Sequence, residues 1–261
     1  MNIFLDSFSA PSLFLLMIVL FVIVGQIILF VVQKYIIVRV ALNERLLATP
    51  AIACVIGIFT VVLAFLAISV WQSHGNIKVT VGKESNAIYS IFRTLDAYPP
   101  ALREVAKDKL TIYVQEVVDR EWSMMKPGET DYAALQKLKS FHDSVIHFVP
   151  TNNGELVAHQ ELMTHFSIYR ELRRDRLMSV GPLVGNTMWL VLILGTLIMM
   201  IFLSCLQTPS YLNLATLLSF FSAMVSLVFS LLILDNYPFM GPEAIGSGTF
   251  QQLLKIYFPL P

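Results

Sequence analysis

The residues from Leu177 to Leu234 constrain this chain more than any other stretch, because these 58 residues contain no Asp, Glu, Lys or Arg. One turn-like segment, Gln207–Ser210, divides them into two apolar segments of 24 residues, Leu183–Leu206 and Tyr211–Leu234. A helix needs about 20 apolar residues to cross the hydrocarbon core of a bilayer. Backbone polar groups in lipid must be satisfied within the segment. The stretch therefore predicts a hairpin of two transmembrane helices, the third and fourth spans of the chain.

Two more apolar segments precede this hairpin. Residues Pro11–Val32 are uncharged and too long for the apolar part of a signal peptide, so they predict a first span. Thr49 and Pro50 open the second, as a helix N-cap followed by proline at the first helical position. That span ends near Trp71, a residue typical of the membrane interface.

The second span has two contrasting faces. Small residues recur on one face at spacings of three and four, and such residues let helices approach closely in lipid. Larger apolar residues follow another face, where they would form a constriction if the span lines a pore, since apolar constrictions gate by dewetting. The residues predicted to pack against neighbouring helices are Ala53, Gly57, Thr60, Ala64 and Ala67, and the residues predicted to line a pore are Phe59, Leu63, Leu66 and Val70.

Residues 72–181 differ in character from the spans. They hold 14 of the 18 basic and 14 of the 18 acidic residues, which predicts a water-facing domain. Their apolar residues recur at spacings of three and four, as in Leu102, Ala106, Leu110 and Tyr113, and these spacings indicate amphipathic helices. Four helices are predicted to form a bundle, the first continuing from the second span and the last leading into the third.

The sequence thus predicts an all-α membrane protein, with four transmembrane helices and a helical-bundle soluble domain between helices two and three. The predicted parts are transmembrane helices one and two in residues 8–74, the bundle in 75–181, the transmembrane hairpin in 182–235, and a turn motif with a short amphipathic tail in 236–261. The tail carries Phe250, Leu253 and Tyr257 largely on one side, so it should lie on the membrane or on the bundle.

No residue set predicts catalysis, and no cofactor or metal is expected. Glycine-rich nucleotide motifs, paired cysteines and Gly-x-Ser-x-Gly are absent from the sequence. Three acid–histidine pairs have a spacing of four, but two-residue sets are more typical of helix-surface pairing than of metal binding. The net charge of zero gives no indication of a nucleic-acid partner. The pairs are Asp143/His147, Glu155/His159 and Glu161/His165.

Four arginines, Arg170, Arg173, Arg174 and Arg176, precede the third span. One interpretation is a site for an anion or for anionic lipid headgroups. The alternative is interfacial anchoring, with the neighbouring acidic residues as partners.

Asp235 ends the fourth span, where a carboxylate must be solvated or paired. We predict that Asp235 pairs with Arg173 or Arg176 and so clamps the segment containing Pro238 and Phe239. The alternative is a solvated carboxylate that caps the turn after the span.

Five pieces of the sequence, taken in order, resemble the prokaryotic bestrophin-like domain family of unknown function. The resemblance implies a four-span protein of a prokaryotic plasma membrane. The pieces are Val62-Leu63-Ala64-Phe65 with Trp71, Glu84-Ser85-Asn86-Ala87, Glu121-Trp122, Arg173 to Arg176 with Pro182 and Trp189, and Asp235 with Pro238-Phe239 and Gly241.

The chain is also distantly similar to true bestrophins, which are pentameric anion channels with a pore lined by the second span. That similarity implies a homo-oligomer, a pentamer, that conducts anions. In true bestrophins an acidic, calcium-binding run follows the Pro-Phe-Gly segment. Here Gly241 is followed by Pro242–Ile245, which departs from that pattern.

Two functions therefore stay open from the sequence, an oligomeric anion channel and a non-conducting scaffold or sensor whose helical domain binds a partner. Orientation is also open. Basic residues follow the first span and none precedes it, which favours an extracytoplasmic helical domain. Lys78, Lys83 and the arginines favour the opposite, as does the similarity to true bestrophins.

Overall fold

The computed structural model describes residues 9–35, 45–125, 131–206 and 210–257, and within these ranges it is helical with no strand. The predicted all-α membrane fold is confirmed. Parts of the predicted links between spans, residues 36–44 and 207–209, lie outside the described residues. The helices are α1 Ala10–Tyr35, α2 Arg45–Thr94, α3 Pro100–Glu116, α4 Trp122–Met124, α5 Tyr132–Val145, α6 Asn153–Met178, α7 Asn186–Ser204, α8 Tyr211–Asp235 and α9 Gly248–Tyr257.

The chain forms two compact units. The transmembrane unit contains the residues up to His74, then Pro182–Tyr237 and Gly241–Glu243. The helical unit contains Gly75–Gly181, Pro238–Met240 and the residues from Ala244 onward. One boundary falls at His74 and Gly75, inside the continuous helix α2.

Among the described residues, the helices long and apolar enough to cross a membrane are α1, α2, α7 and α8. Their outward-facing side chains are large and apolar: Phe65 is 72% exposed, Phe220 69% and Leu15 65%. Uninterrupted apolar surface of this kind marks a membrane-facing or partner-facing surface. These helices therefore make the chain a multi-pass membrane protein.

The transmembrane unit is held together by apolar packing and by side-chain amides. Leu63, Val70, Leu192 and Phe229 belong to one buried cluster. Gln26 of α1 donates to the backbone oxygen of Ala215 at 3.0 Å and to Ser219 Oγ at 2.9 Å, both in α8. Interhelical hydrogen bonds of this kind join helices in lipid, where apolar residues alone gain little from association.

Helix α1 packs against α8 where Gly25 faces Ser222. A Cβ atom built on Gly25 would lie 2.6 Å from Ser222 Oγ, but 3.6 Å from Leu218 Cγ and 3.7 Å from Ser222 Cβ. The hydroxyl of Ser222 is fully buried, without a hydrogen-bond partner in the described residues. The absence of a side chain at position 25 thus sets the spacing of the two helices. Serine residues recur along α8, and at Ser222 this row of hydroxyls packs against α1.

We predict that Gly25→Ala lowers the thermal stability of the detergent-solubilised protein, since overpacking costs about 1–3 kcal/mol. Adding Ser222→Ala should restore most of the loss, because it removes the one atom that lies too close. Gly75→Ala is the matched control: no atom lies within 4 Å of its added Cβ. Equal stability of Gly25→Ala and the control would show that the contact does not limit the packing.

In the helical unit, capping residues fix where the helices begin. Pro100 occupies the first turn of α3. Asp131 caps α5 by accepting from the backbone N–H of Ala133 at 2.8 Å. Asn152 caps α6 by accepting from the N–H of Glu155 at 2.9 Å, and the Glu155 carboxylate accepts from the N–H of Thr151 at 2.7 Å. The predicted periodic residues point inward, and among those with no exposure are Ile88, Leu110, Tyr113, Phe141, Leu162 and Tyr169.

The segment after the fourth span packs on the helical unit around Trp122. The indole N–H of Trp122 donates to the backbone oxygen of Ile245 at 3.0 Å. The ring of Phe239 meets the Trp122 ring edge-on at 6.1 Å, and the ring of Phe250 lies 5.5 Å away. Phe250 is fully buried. The amphipathic tail, α9, therefore packs on the bundle, which is one of the two positions expected for it.

Candidate functional site

A cluster of buried charged residues lies in the core of the helical unit. Glu84 and Arg176 have no exposed surface, Glu121 is 1% exposed and Arg173 is 8% exposed. Each continues an apolar stripe: Glu84 follows Ile77 and Val81 on α2, and Arg173 and Arg176 follow Leu162, Phe166 and Tyr169 on α6. Burying a charge is costly unless it is paired and hydrogen-bonded.

Every part of the Arg176 guanidinium has a partner in this core. Its Nε donates to Glu84 Oε2 at 2.7 Å and its Nη2 donates to Glu84 Oε1 at 3.1 Å. Nη2 also donates to Glu121 Oε1 at 2.5 Å, and Nη1 to the Met125 sulfur at 2.8 Å. Arg173 Nη2 donates to the other Glu121 oxygen at 2.5 Å. We call Glu84, Glu121, Arg173 and Arg176 the charge network.

A π-helical turn, Val117–Glu121, positions Glu121 and the following Trp122. The backbone N–H of Trp122 bonds to the oxygen of Val117, five residues back. Such turns add one residue to a helix and are frequent at functional sites. Glu121 thereby reaches both arginines, and Trp122 lies against Arg176, whose Cζ is 4.6 Å from the ring centroid. This contact adds a cation–π interaction.

The network places two carboxyl groups against two guanidinium groups, and burial raises the pKa of Glu84 while the Arg176 guanidinium lowers it. Burial alone would lower the pKa of Arg176, but the carboxylates of Glu84 and Glu121 raise that pKa above its ordinary value. Arg176 therefore stays charged. Beside the network, the hydroxyls of Tyr113 and Tyr169 share a hydrogen bond. Burial raises the pKa of the Tyr113 hydroxyl, so this pair stays neutral. The arrangement fixes helix positions and offers no nucleophile or open coordination position.

The four arginines predicted as one cluster divide into two pairs. Arg173 and Arg176 are buried in the network, whereas Arg170 and Arg174 are exposed. Sequence reasoning gave Glu84 and Glu121 no role. The available signal was their position: a charged residue at an inward-facing step of an apolar stripe indicates a buried partner of opposite charge.

The two faces of the second span are placed differently from each other. Leu63 is 5% exposed and Val70 is 4% exposed, and both pack against residues of α7 and α8 of the same chain. Phe59 and Leu66 are partly buried against the same cluster, and the Phe59 ring occupies space that a side chain on Gly195 would need. The small residues Ala53, Gly57, Thr60 and Ala64 are exposed, and Ala67 is half-buried. Pore lining by this span stays a prediction.

Asp235 lies at the end of α8 and is 7% exposed. Within its own unit, the charged groups that act on it are His74 and Glu243. The next residue, Asn236, joins the start of the third span to the end of the fourth. Its backbone oxygen accepts from the N–H of Leu183 at 2.9 Å and its side-chain oxygen from the N–H of Val184 at 2.7 Å.

The clamp between Asp235 and an arginine stays a prediction, and the network favours Arg173 as the partner. Every nitrogen of Arg176 has an acceptor, whereas Arg173 Nε is buried without one among the described residues. A double-mutant cycle on thermal stability should show coupling between Asp235→Asn and Arg173→Gln. Additive effects of the two substitutions would exclude the clamp.

The acid–histidine pairs differ in their contacts. Glu155 takes part in the α6 cap, and His159 Nδ1 lies 2.7 Å from the Tyr98 hydroxyl. Glu161 and His165 are 3.5 Å apart. In the part of the chain that the structure describes, no group of three or more His, Cys, Asp or Glu is arranged to hold a metal ion.

We predict that Arg176→Gln lowers the free energy of unfolding by about 3–5 kcal/mol, because it leaves two buried carboxylates short of a partner. Glu84→Gln combined with Arg176→Gln should cost less than the sum of the single changes. Thermal denaturation of the four proteins measures the coupling. The exposed Arg174→Gln is the control, with an expected change within about 0.5 kcal/mol. Additivity of the two buried substitutions would contradict the network.

The family model described as Bestrophin-like domain matches residues 13–250 of this chain. The predicted resemblance is thereby confirmed. Several pieces that carried it meet in the charge network: Glu84, Glu121 with Trp122, and Arg173 with Arg176. No curated protein and no solved structure shows a significant match.

Proposed function

The chain belongs to the Bestrophin-like domain family, and on that premise we propose that it is an oligomeric, anion-conducting channel whose second span lines the pore. By its similarity to true bestrophins the oligomer is a pentamer in a prokaryotic plasma membrane. No catalytic activity is proposed. The charge network serves to hold the helices of the water-facing domain in one arrangement.

The observation that supports this proposal best is the uncovered face of the second span. One line of its side chains, including Leu63 and Val70, packs against α7 and α8. The face with Gly57, Thr60 and Ala64 has no cover from the described residues of its own chain. Small residues in lipid give close contacts between helices, and a hydroxyl such as that of Thr60 suits a water-filled path. This face is available to neighbouring copies and to a pore at their centre.

Anion conduction rests on the similarity to true bestrophins, with the exposed cations Arg170 and Arg174 as a source of attraction for anions. The proposed orientation, with the helical domain outside the cytoplasm, follows from the basic residues after the first span. Labelling Lys139→Cys with an impermeant maleimide in intact cells tests it, in a background with Cys54→Ala and Cys205→Ala.

The second candidate is a non-conducting scaffold or sensor. Exposed apolar side chains on the helical unit favour it, among them Val149 at 78%, Tyr132 at 75% and Val157 at 63% exposure. Isolated exposed apolar residues are common, so this observation is the weaker one. Chloride and potassium flux into liposomes, beside particle images, separates the two. A symmetric ring with chloride flux supports the channel, and a monomer or dimer without flux supports the scaffold.

We predict that cysteine accessibility identifies the pore face of the second span. In the background lacking Cys54 and Cys205, a charged methanethiosulfonate reagent should block chloride flux through Thr60→Cys and Ala64→Cys if the uncovered face lines the pore. If the packed face forms the constriction, Leu63→Cys should be blocked instead, and Phe59→Ala and Leu66→Ala should raise flux. Flux that is unchanged in all five variants, with intact assembly, would exclude the second span from the pore.

A further inference from the structure

The exposed pair of arginines on α6 lines a recess of about 410 Å³, together with Ser167 and Glu171. These residues stand at positions i, i+3, i+4 and i+7 along the helix, so their side chains share one face. The recess is distinct from the charge network, which lies on the buried face of the same helix.

Both guanidinium groups in this recess are unpaired. Within the ranges that the structure describes, neither Arg170 nor Arg174 forms an ion pair or a hydrogen bond with a carboxylate. Arg170 Cζ lies 6.0 Å from the Phe166 ring centroid, so the guanidinium faces an aromatic ring. Glu171 and Asp175, expected as partners if the arginines only anchor the chain, do not bind them. The donors of this pair are therefore available to a ligand.

The lining residues indicate the chemistry of that ligand. Planar guanidinium groups match the oxygens of a phosphate with paired hydrogen bonds, and a serine hydroxyl donates one more. The Glu171 carboxylate would repel a simple anion, but it accepts hydrogen bonds from an ammonium group. Two positive charges beside one negative charge suit a zwitterion that carries both a phosphate and an ammonium.

We propose that Ser167, Arg170, Glu171 and Arg174 bind a phosphoethanolamine group, its phosphate on the two arginines and its ammonium on Glu171. Arg174 precedes Pro182, where the chain enters the transmembrane unit, by eight residues. A lipid headgroup is thus one source of the ligand, and a soluble phosphoethanolamine is the other. The proposal does not depend on whether the protein conducts ions.

Native mass spectrometry of the full chain in detergent, with added phosphatidylethanolamine or phosphatidylglycerol, tests the site. Arg170→Gln and Arg174→Gln should each weaken phosphatidylethanolamine binding about fivefold. Glu171→Gln should weaken binding of phosphatidylethanolamine and strengthen binding of phosphatidylglycerol, because it removes the ammonium partner and a repulsive charge together. Lys139→Gln, an exposed change on α5, is the control and should alter neither lipid.

Competition with soluble probes distinguishes a lipid headgroup from soluble phosphoethanolamine as the ligand, and it can also disprove the proposed site. Displacement of the lipid by free phosphoethanolamine, but not by inorganic phosphate at the same concentration, supports headgroup recognition. If phosphoethanolamine binds equally well without lipid, the ligand is the soluble compound and the assigned site stands. Equal displacement by inorganic phosphate, or a Glu171→Gln variant that binds both lipids as the native chain does, would overturn the proposal.

Discussion

The pairing of Arg176 with two buried carboxylates is the constraint on which the helical unit depends. Its guanidinium joins α6 to Glu84 of α2 and to Glu121 of the π-helical turn. A buried ion pair gains little over well-packed apolar residues, but removing one partner is strongly destabilising. The network therefore contributes less to net stability than to specificity: only one relative position of the three segments pairs all four charges. An apolar core of the same volume would place no such pairing requirement on the three segments.

Hydrophobicity and periodicity were sufficient to predict the spans and the bundle, since lipid and core burial act on every residue of a helix face. Hydrophobicity and periodicity were not sufficient to predict the charge network. Arg173 and Arg176 were grouped with Arg170 and Arg174 because all four are basic and close in sequence. In α6, however, Arg173 and Arg176 face inward, whereas Arg170 and Arg174 face outward. The position of Glu121 depends on a π-helical turn, and no pattern of residues in the sequence predicts such a turn. An inward-facing charge pairs with residues distant in sequence, here 92 and 55 positions apart, so local patterns cannot identify its partner.

The transmembrane unit shows a different limit of sequence reasoning. In water, the larger apolar residues of a helix would be assigned to its buried face. In lipid this preference weakens, because the solvent is as apolar as the side chains and shape decides which face packs. The sequence offered two faces on the second span, and the chain uses the larger residues internally, with Phe59 fitted where Gly195 lacks a side chain. The small-residue face is left exposed within the described part of the chain.

Trp122 connects the segment after the fourth span to the charge network. The fourth span ends at Asp235, and four residues later Phe239 is packed on Trp122, whose other contacts are Ile245, Phe250 and Arg176. Trp122 thus has the segment after the last span as one neighbour and the charge network as another. A substitution in that segment that displaces the Trp122 indole would also disturb the packing of the indole on Arg176.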